Sequence, residues 1–195
     1  MPGVGGRACT TTFECVPSSE AIRPPTLTQG GFVLRPWRFD VADLAFVRQA
    51  AADADIARYS TVGAAHSSAA AEAWLRGRVA PDRCDWVMEV DTEPVGRVSI
   101  ATIDTQTGSA ELGYWVLARH RRRGYARAGM AVATRYAVDR LWMGSLRIEH
   151  ERANDASCSL ATDVGFGSCA PASTPTRVAG TLRHLWVHTR TFDSR

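Results

Sequence analysis

The pattern of apolar and polar positions divides the chain into segments of two different periods. From Phe32, "FVLRPWRF" reads as a short strand ended by Pro36. "FDVADLAFVRQAAAD" follows, with Asp40 as N-cap and Val41, Leu44, Ala45, Phe46 and Val47 as an approximate helical stripe. A second helix fits "SSAAAEAWLRGRV", capped by Ser67 or Ser68 with Glu72 in its first turn. The segment between them, "DIARYSTVGAAHSS", is small and polar and reads as a mobile loop.

The period then drops to two. "DWVMEV", "VGRVSIATI" and "AELGYWVL", separated by the polar turns "DTEP" and "DTQTG", predict an antiparallel meander. "ARAGMAVATRYAVDRLW" returns to helical spacing through Met130, Ala133, Ala137 and Leu141. "LRIEHE" predicts a strand, and "DASCSLATDV" a short helix capped by Asn154 or Asp155, with Gly165 suited to a left-handed residue at its end. "LRHLWVHTR" predicts the last strand, with His184 and His188 on one face. Helices before a meander, then strands alternating with helices, predict an α/β fold around one mixed, mostly antiparallel sheet flanked by helices. That domain spans residues 29–195. Residues 1–28, rich in Gly, Pro, Ser and Thr without periodicity, predict a flexible extension.

Composition narrows the class of protein. The 195 residues suit one domain, and 45% hydrophobic with 22% charged residues is the balance of a globular chain. The net charge of +3 is too small to imply nucleic-acid binding. All 23 basic residues are arginine, so an arginine run is weaker evidence of function here than in a chain of mixed basic composition. Five dispersed cysteines argue against a disulfide framework or a zinc site and suit a reducing compartment. No histidine pair shows ligand spacing with a carboxylate, so no metal is expected. The chain has neither a membrane-length apolar run nor a signal-peptide pattern, and a cytoplasmic location is expected.

The segment after the third meander strand carries the main chemical signal. In "ARHRRRGYARAGM" a strand runs through a glycine turn into a helix. Unpaired N–H groups and the helix dipole favour an anion there, Gly124 and Ala126 keep side chains away from it, and Arg121, Arg122 and Arg123 add charge. A phosphate cradle and a plain solvated helix start both fit these residues. A nucleic-acid patch lacks the interleaved aromatics such surfaces carry.

"ELGYWVLARHRRRGYA" resembles the signature of the GCN5-related N-acetyltransferase (GNAT) superfamily, whose loop reads Arg/Gln-x-x-Gly-x-Gly/Ala, through Arg121, Gly124 and Ala126. "NDASCSLATDVGF" is similar to the family's second segment through Asn154, Ser157, Leu160, Gly165 and Phe166. "LRPW" and "ELGYWV" look most like the branch of ribosomal-protein N-terminal alanine and serine acetyltransferases. The resemblance runs from Phe32 to the C-terminus. It implies a GNAT-type domain, acetyl-CoA as cosubstrate, and a monomer or homodimer acting on an amine, with neither nucleic acid nor membrane as partner. It implies pyrophosphate on the backbone from Arg122 through Tyr125 to Arg127. The pantetheine arm would lie along Trp115, Val116 and Leu117, and Asn154 would bond near the reacting group. The favoured acceptor is a protein N-terminus; a small-molecule amine, or CoA binding without turnover, are the alternatives.

Acetyl transfer needs an amine to lose a proton and a leaving thiolate to gain one. Glu111, on the same strand face as Gly113 and Trp115, is either the proton acceptor or a strand-end carboxylate paired to an arginine. His150 is a further candidate base. Ser157 lies either near the thiolate or simply at a helix start. Many family members carry a tyrosine as general acid where this chain has Ala161, which leaves Ser157 or water to protonate the sulfur.

Overall fold

The meander is the centre of the molecule. β3 (Cys84–Val90), β4 (Glu93–Asp104) and β5 (Ser109–Val116) pair antiparallel in sequence order. β1 (Leu27–Gln29) and β2 (Phe32–Pro36) extend the sheet on one side. On the other side lie β6 (Ser145–Glu151), then β10 (Leu185–Thr191), then β7 (Ala170–Pro171). The computed structural model describes residues 22–178 and 181–193. In it the sheet has eight strands in the order β1-β2-β3-β4-β5-β6-β10-β7, and β8 (Thr176–Val178) with β9 (Thr181–Arg183) forms a separate hairpin. Only β5 and β6 pair in parallel among the described strands.

Helices cover both faces. α1 (Val41–Ala52), α2 (Ala54–Tyr59) and α3 (Ser68–Arg76) pack on one face, with Phe46, Val47, Trp74 and Leu75 around Trp115 and Leu117. α4 (Tyr125–Arg140) and α5 (Asp155–Asp163) pack on the other, with Met130, Ala133 and Ala161 against Leu112 and Val116. The alternation of β5 side chains between the two cores follows from the pleat. Gly129, inside α4, costs about 1 kcal/mol of helix propensity relative to alanine. A Cβ there would meet Met88 Sδ at 2.4 Å, so the residue allows close contact of helix and sheet.

The predicted caps hold: Asp40 accepts from Asp43 N–H, and Ser67 from Ala70 N–H. The predicted apolar stripe of α1 holds at Leu44, Phe46 and Val47 but not at Val41 and Ala45. Val41 is 83% exposed, while Asp43 is fully buried, because Arg35 on β2 brings a buried cation that needs a carboxylate. "DIARYSTVGAAHSS" is not an open loop. Asp53 caps α2, Ser60 caps a 3₁₀ turn at Thr61–Ala64, and Ile56 and Val62 reach the core. Residues 1–21 of the predicted extension lie outside the described residues; its end is docked, with Ile22 against the core and Pro25 carbonyl accepting from Trp86 Nε1 at 2.8 Å. The predicted last strand is broken at His184, which precedes β10 and so does not share a strand face with His188.

Candidate active site

The parallel pairing of β5 with β6 runs from Ser109↔Ser145 only to Glu111↔Arg147. Past that point Leu112–Val116 and Ile148–Glu151 diverge, each still paired on its far side, to β4 and β10. A sheet that separates along one seam leaves two rows of backbone groups facing a wedge, each able to accept an added strand. Trp115, Val116 and Leu117 lie at its wide end and are buried. The Val116 carbonyl accepts from Arg121 Nε at 3.0 Å, and Leu117 N–H donates to the Val95 carbonyl.

The strand leads through a 3₁₀ turn at Ala118–His120 into Gly124 and α4. Gly124 has φ of +80°, a left-handed conformation that suits glycine, and a Cβ built on it meets nothing within 4 Å. The space over the turn is open. No side chain caps α4, and Ala128 N–H is the first to reach a backbone acceptor, the Gly124 carbonyl at 3.0 Å. The N–H groups of Tyr125, Ala126 and Arg127 therefore carry the free end of the helix dipole. Beside them is a cavity of about 480 Å³ lined in part by Phe32, Asp91, Arg123 and Tyr125. An anion such as pyrophosphate fits this cradle.

The arginines of the loop divide by role. Arg121 is committed to the protein, bonding Asp53 and Asp55 at 2.6 Å each as well as the Val116 carbonyl. Arg127 ties α4 to α5 through Asp163 at 2.7 Å. Arg122 and Arg123 are exposed and have no ion-pair partner among the described residues. His120 is buried, with Nε2 3.2 Å from a Glu93 carboxylate oxygen.

On the other side of the wedge, α5 begins at its cap Asn154, whose Oδ1 accepts from Ser157 N–H at 3.1 Å. Ser157 is buried, and its Oγ accepts from the Tyr114 hydroxyl at 3.1 Å. Burial pushes the Tyr114 phenol above its ordinary value, and the bond to Ser157 offsets this only in part, so the hydroxyl stays protonated. Tyr114 is the residue that sequence reasoning passes over. Ala161 is fully buried in the core, and the phenol that meets Ser157 comes from β5. The signal was present: Tyr114 alternates with Trp115 and so must face the α5 side.

The opposite face holds carboxylates. Glu111 sits at the closed end of the wedge, bonded by Thr102 at 3.3 Å and paired with Arg147 at 3.5 Å. Glu149, the next residue on that face of β6, is more buried, with Arg147 Nε at 3.3 Å and Thr176 Oγ1 at 3.5 Å. Burial first, and then the nearby Glu111 charge, push its carboxyl above the ordinary range. A cavity of about 330 Å³ opens on Glu149, lined also by Arg147, Ala172, Ser173, Thr174, Thr176 and Val187. Arg183 closes one flank, bonding Glu151 and the Arg58 carbonyl. His150 points to the other face, where burial and then His188 hold it below its ordinary value. It is apart from the carboxylates.

A sheet opening along its parallel seam beside a bare helix N-terminus suits a long thioester with a pyrophosphate in its tail. The class so defined is the acetyl-CoA-dependent N-acetyltransferases. The chain belongs to the acetyltransferase (GNAT) domain family, whose model matches residues 32–167. RimJ from Mycobacterium smegmatis, solved in complex with CoA-disulfide, is similar at a TM-score of 0.72 and 22% identity, over 82% of this chain and 81% of that one. RimL, the ribosomal L7/L12 alpha-N-protein acetyltransferase, solved in complex with coenzyme A, is similar at 0.72 and 16%, over 90% and 100%. The microcin C7 self-immunity acetyltransferase MccE, solved in complex with acetyl-CoA and AMP, is similar at 0.73 and 13%, over 84% and 94%. No curated protein matches the sequence. At these identities the solved structures speak for the fold. Among the described residues, no helix is long and apolar enough to cross a membrane.

Proposed function

We propose that the acceptor is the α-amino group of a protein N-terminus of the kind ribosomal proteins present. The observation that carries this reading is the cavity on Glu149, which sets one buried carboxylate beside the outer edge of the sheet. A carboxylate draws an amine inward. β7 is the last strand of the sheet, and the cavity-lining residues 172–174 continue directly from it, so an extended peptide can pair alongside. An α-amine, with an ordinary pKa of about 7.7–8.0, is also more readily neutral than a lysine side chain. RimL, which shares the fold, is named for such a substrate. The rival reading, a small-molecule amine, draws on the tie from Arg183 to Glu151 and Arg58, which narrows one flank.

Acetyl-CoA supplies an activated thioester, and the chain supplies position and proton paths. Backbone N–H groups from Arg122 to Arg127, with Gly124 leaving room, receive the pyrophosphate, and the exposed Arg122 and Arg123 add charge. Trp115, Val116 and Leu117 present their remaining backbone groups to the pantetheine arm, and the Asn154 amide donates from the facing helix. Glu149, with Glu111 behind it, accepts the proton of the attacking amine. Ser157 donates its hydroxyl proton to the departing sulfur and is resupplied by Tyr114.

Two measurements test this. Acetyl-CoA at ~100 times its dissociation constant stabilises the protein by about 2.7 kcal/mol, and Gly124→Glu, which places a bulky anion in the cradle, abolishes the gain. An equal thermal shift in wild type and variant sinks the cradle. For the acceptor, CoA release is followed with peptides bearing a free N-terminal serine or alanine, with the same peptides blocked at the N-terminus but containing lysine, and with polyamines. Turnover confined to free N-termini is expected; preference for the polyamines overturns the acceptor reading.

A further inference from the structure

Behind α5, on the side away from the acceptor cavity, four residues that sequence spacing does not connect are brought together. His150 is on β6, His188 on β10, Cys158 on α5, and Cys169 just before β7. One ring nitrogen from each histidine and both sulfurs lie within 4.8 Å of one another, and the sulfurs are 3.8 Å apart. The histidines are 5% and 1% exposed.

Their hydrogen bonds fix what each presents. His150 Nδ1–H donates to the Glu151 carbonyl at 2.8 Å, and His188 Nδ1–H to the Gly167 carbonyl at 2.6 Å. A carbonyl accepts only from N–H, so in both rings Nδ1 is protonated, and in the neutral imidazole the lone pair is on Nε2. Both Nε2 atoms are buried and have no partner. An unmet buried acceptor is costly, and a cation held with the two sulfurs would satisfy both. Backbone carbonyls fixing the tautomer of inward-facing histidines form the outer shell of a metal site. Tetrahedral zinc with Zn–S bonds of about 2.3 Å separates its two sulfurs by about 3.8 Å. A disulfide needs them about 2.05 Å apart.

We propose that His150, Cys158, Cys169 and His188 bind one zinc-class divalent cation in a closed, tetrahedral S₂N₂ site. Binding releases the two thiol protons to solvent, and two thiolates and two neutral imidazoles then leave the centre uncharged overall. Four protein ligands leave no open position, so the ion is structural and takes no part in acetyl transfer. Its effect is mechanical: it pins α5, which carries Asn154 and Ser157, to β6 and β10, fixing one wall of the wedge.

The test uses the full chain, produced without a histidine tag under reducing conditions. Elemental analysis is expected to find one zinc per chain, reduced to trace in Cys169→Ser and unchanged in Cys84→Ala. Cobalt loaded in place of zinc should show tetrahedral visible bands and thiolate charge-transfer absorption in wild type, with the charge-transfer weakened in Cys169→Ser. Chelator should lower the wild-type melting temperature and leave that of Cys169→Ser unmoved. Wild type that stays metal-free after zinc reconstitution overturns the proposal. So does a cobalt spectrum without thiolate absorption, or a Cys158–Cys169 disulfide in the reduced, zinc-supplied protein.

Discussion

The Tyr114 hydroxyl donates to Ser157 Oγ at 3.1 Å, joining the splayed strand to the first turn of α5. In the proposed mechanism these two hydroxyls in series carry the proton to the departing sulfur. Tyr114→Phe and Ser157→Ala are each expected to lower kcat about a hundredfold, at the low end for a positioned proton donor, with little change in KM for acetyl-CoA. Because the two act as one unit, the double variant should be no slower than the worse single one. Additive losses in steady-state kinetics would separate them.

Glu111 and Glu149 share a face but not an environment. Both pair with Arg147, but Glu111 sits at the closed end, whereas Glu149 is more buried and opens on the proposed acceptor cavity. Glu149→Gln is expected to lower kcat about a hundredfold. Glu111→Gln should stay within a few-fold of wild type. The reverse order of the two in a CoA-release assay would return the proton acceptor to Glu111.

Asp53 links α2 to the loop through Arg121 and the Ala118 N–H. Burial disfavours its ionised form, but the Arg121 hydrogen bond and the backbone N–H groups of Ala118 and Ile56 outweigh this and hold the carboxyl below its ordinary value. A depressed carboxyl contributes stability that is whole above the unfolded pKa, about 3.9, and is lost as pH falls through the folded one. Arg121→Gln should therefore cost about 1–2 kcal/mol near neutrality, and the gap to wild type should close below about pH 4. Urea midpoints on either side of that pH check it.

Asp43 is fully buried and accepts from Arg35 Nη2 at 2.7 Å and Arg35 Nη1 at 3.2 Å, and from Arg38 N–H at 2.5 Å. Asp43→Asn leaves a buried guanidinium with only Glu89 as counter-charge. A loss of about 3–5 kcal/mol in urea unfolding is expected. A loss below about 1 kcal/mol would mean that water reaches the pair.

Local chemistry was legible wherever period, caps and a glycine turn sufficed. The meander, α4, α5, the caps Asp40 and Ser67, and the loop at Gly124 could all be read from residues within a few positions of one another, because a helix or hairpin answers to its own neighbours. Asp43 was not legible, since its burial is decided by Arg35 on a strand outside its helix. Arg121 looked like free positive charge and is held by Asp53 and Asp55 from α2. The Tyr114–Ser157 hydrogen bond needed two residues 43 positions apart in the chain to meet. The convergence of His150, Cys158, Cys169 and His188 needed the antiparallel register that sets Trp186 opposite His150 and His188 opposite Ile148. Sequence by itself determined the meander, α4 and α5, the glycine turn at Gly124 and the resemblance to the family. Which side chains meet was decided only by tertiary structure, because strand register and helix docking are settled by the burial of whole faces, and a face is assembled from residues far apart in the chain.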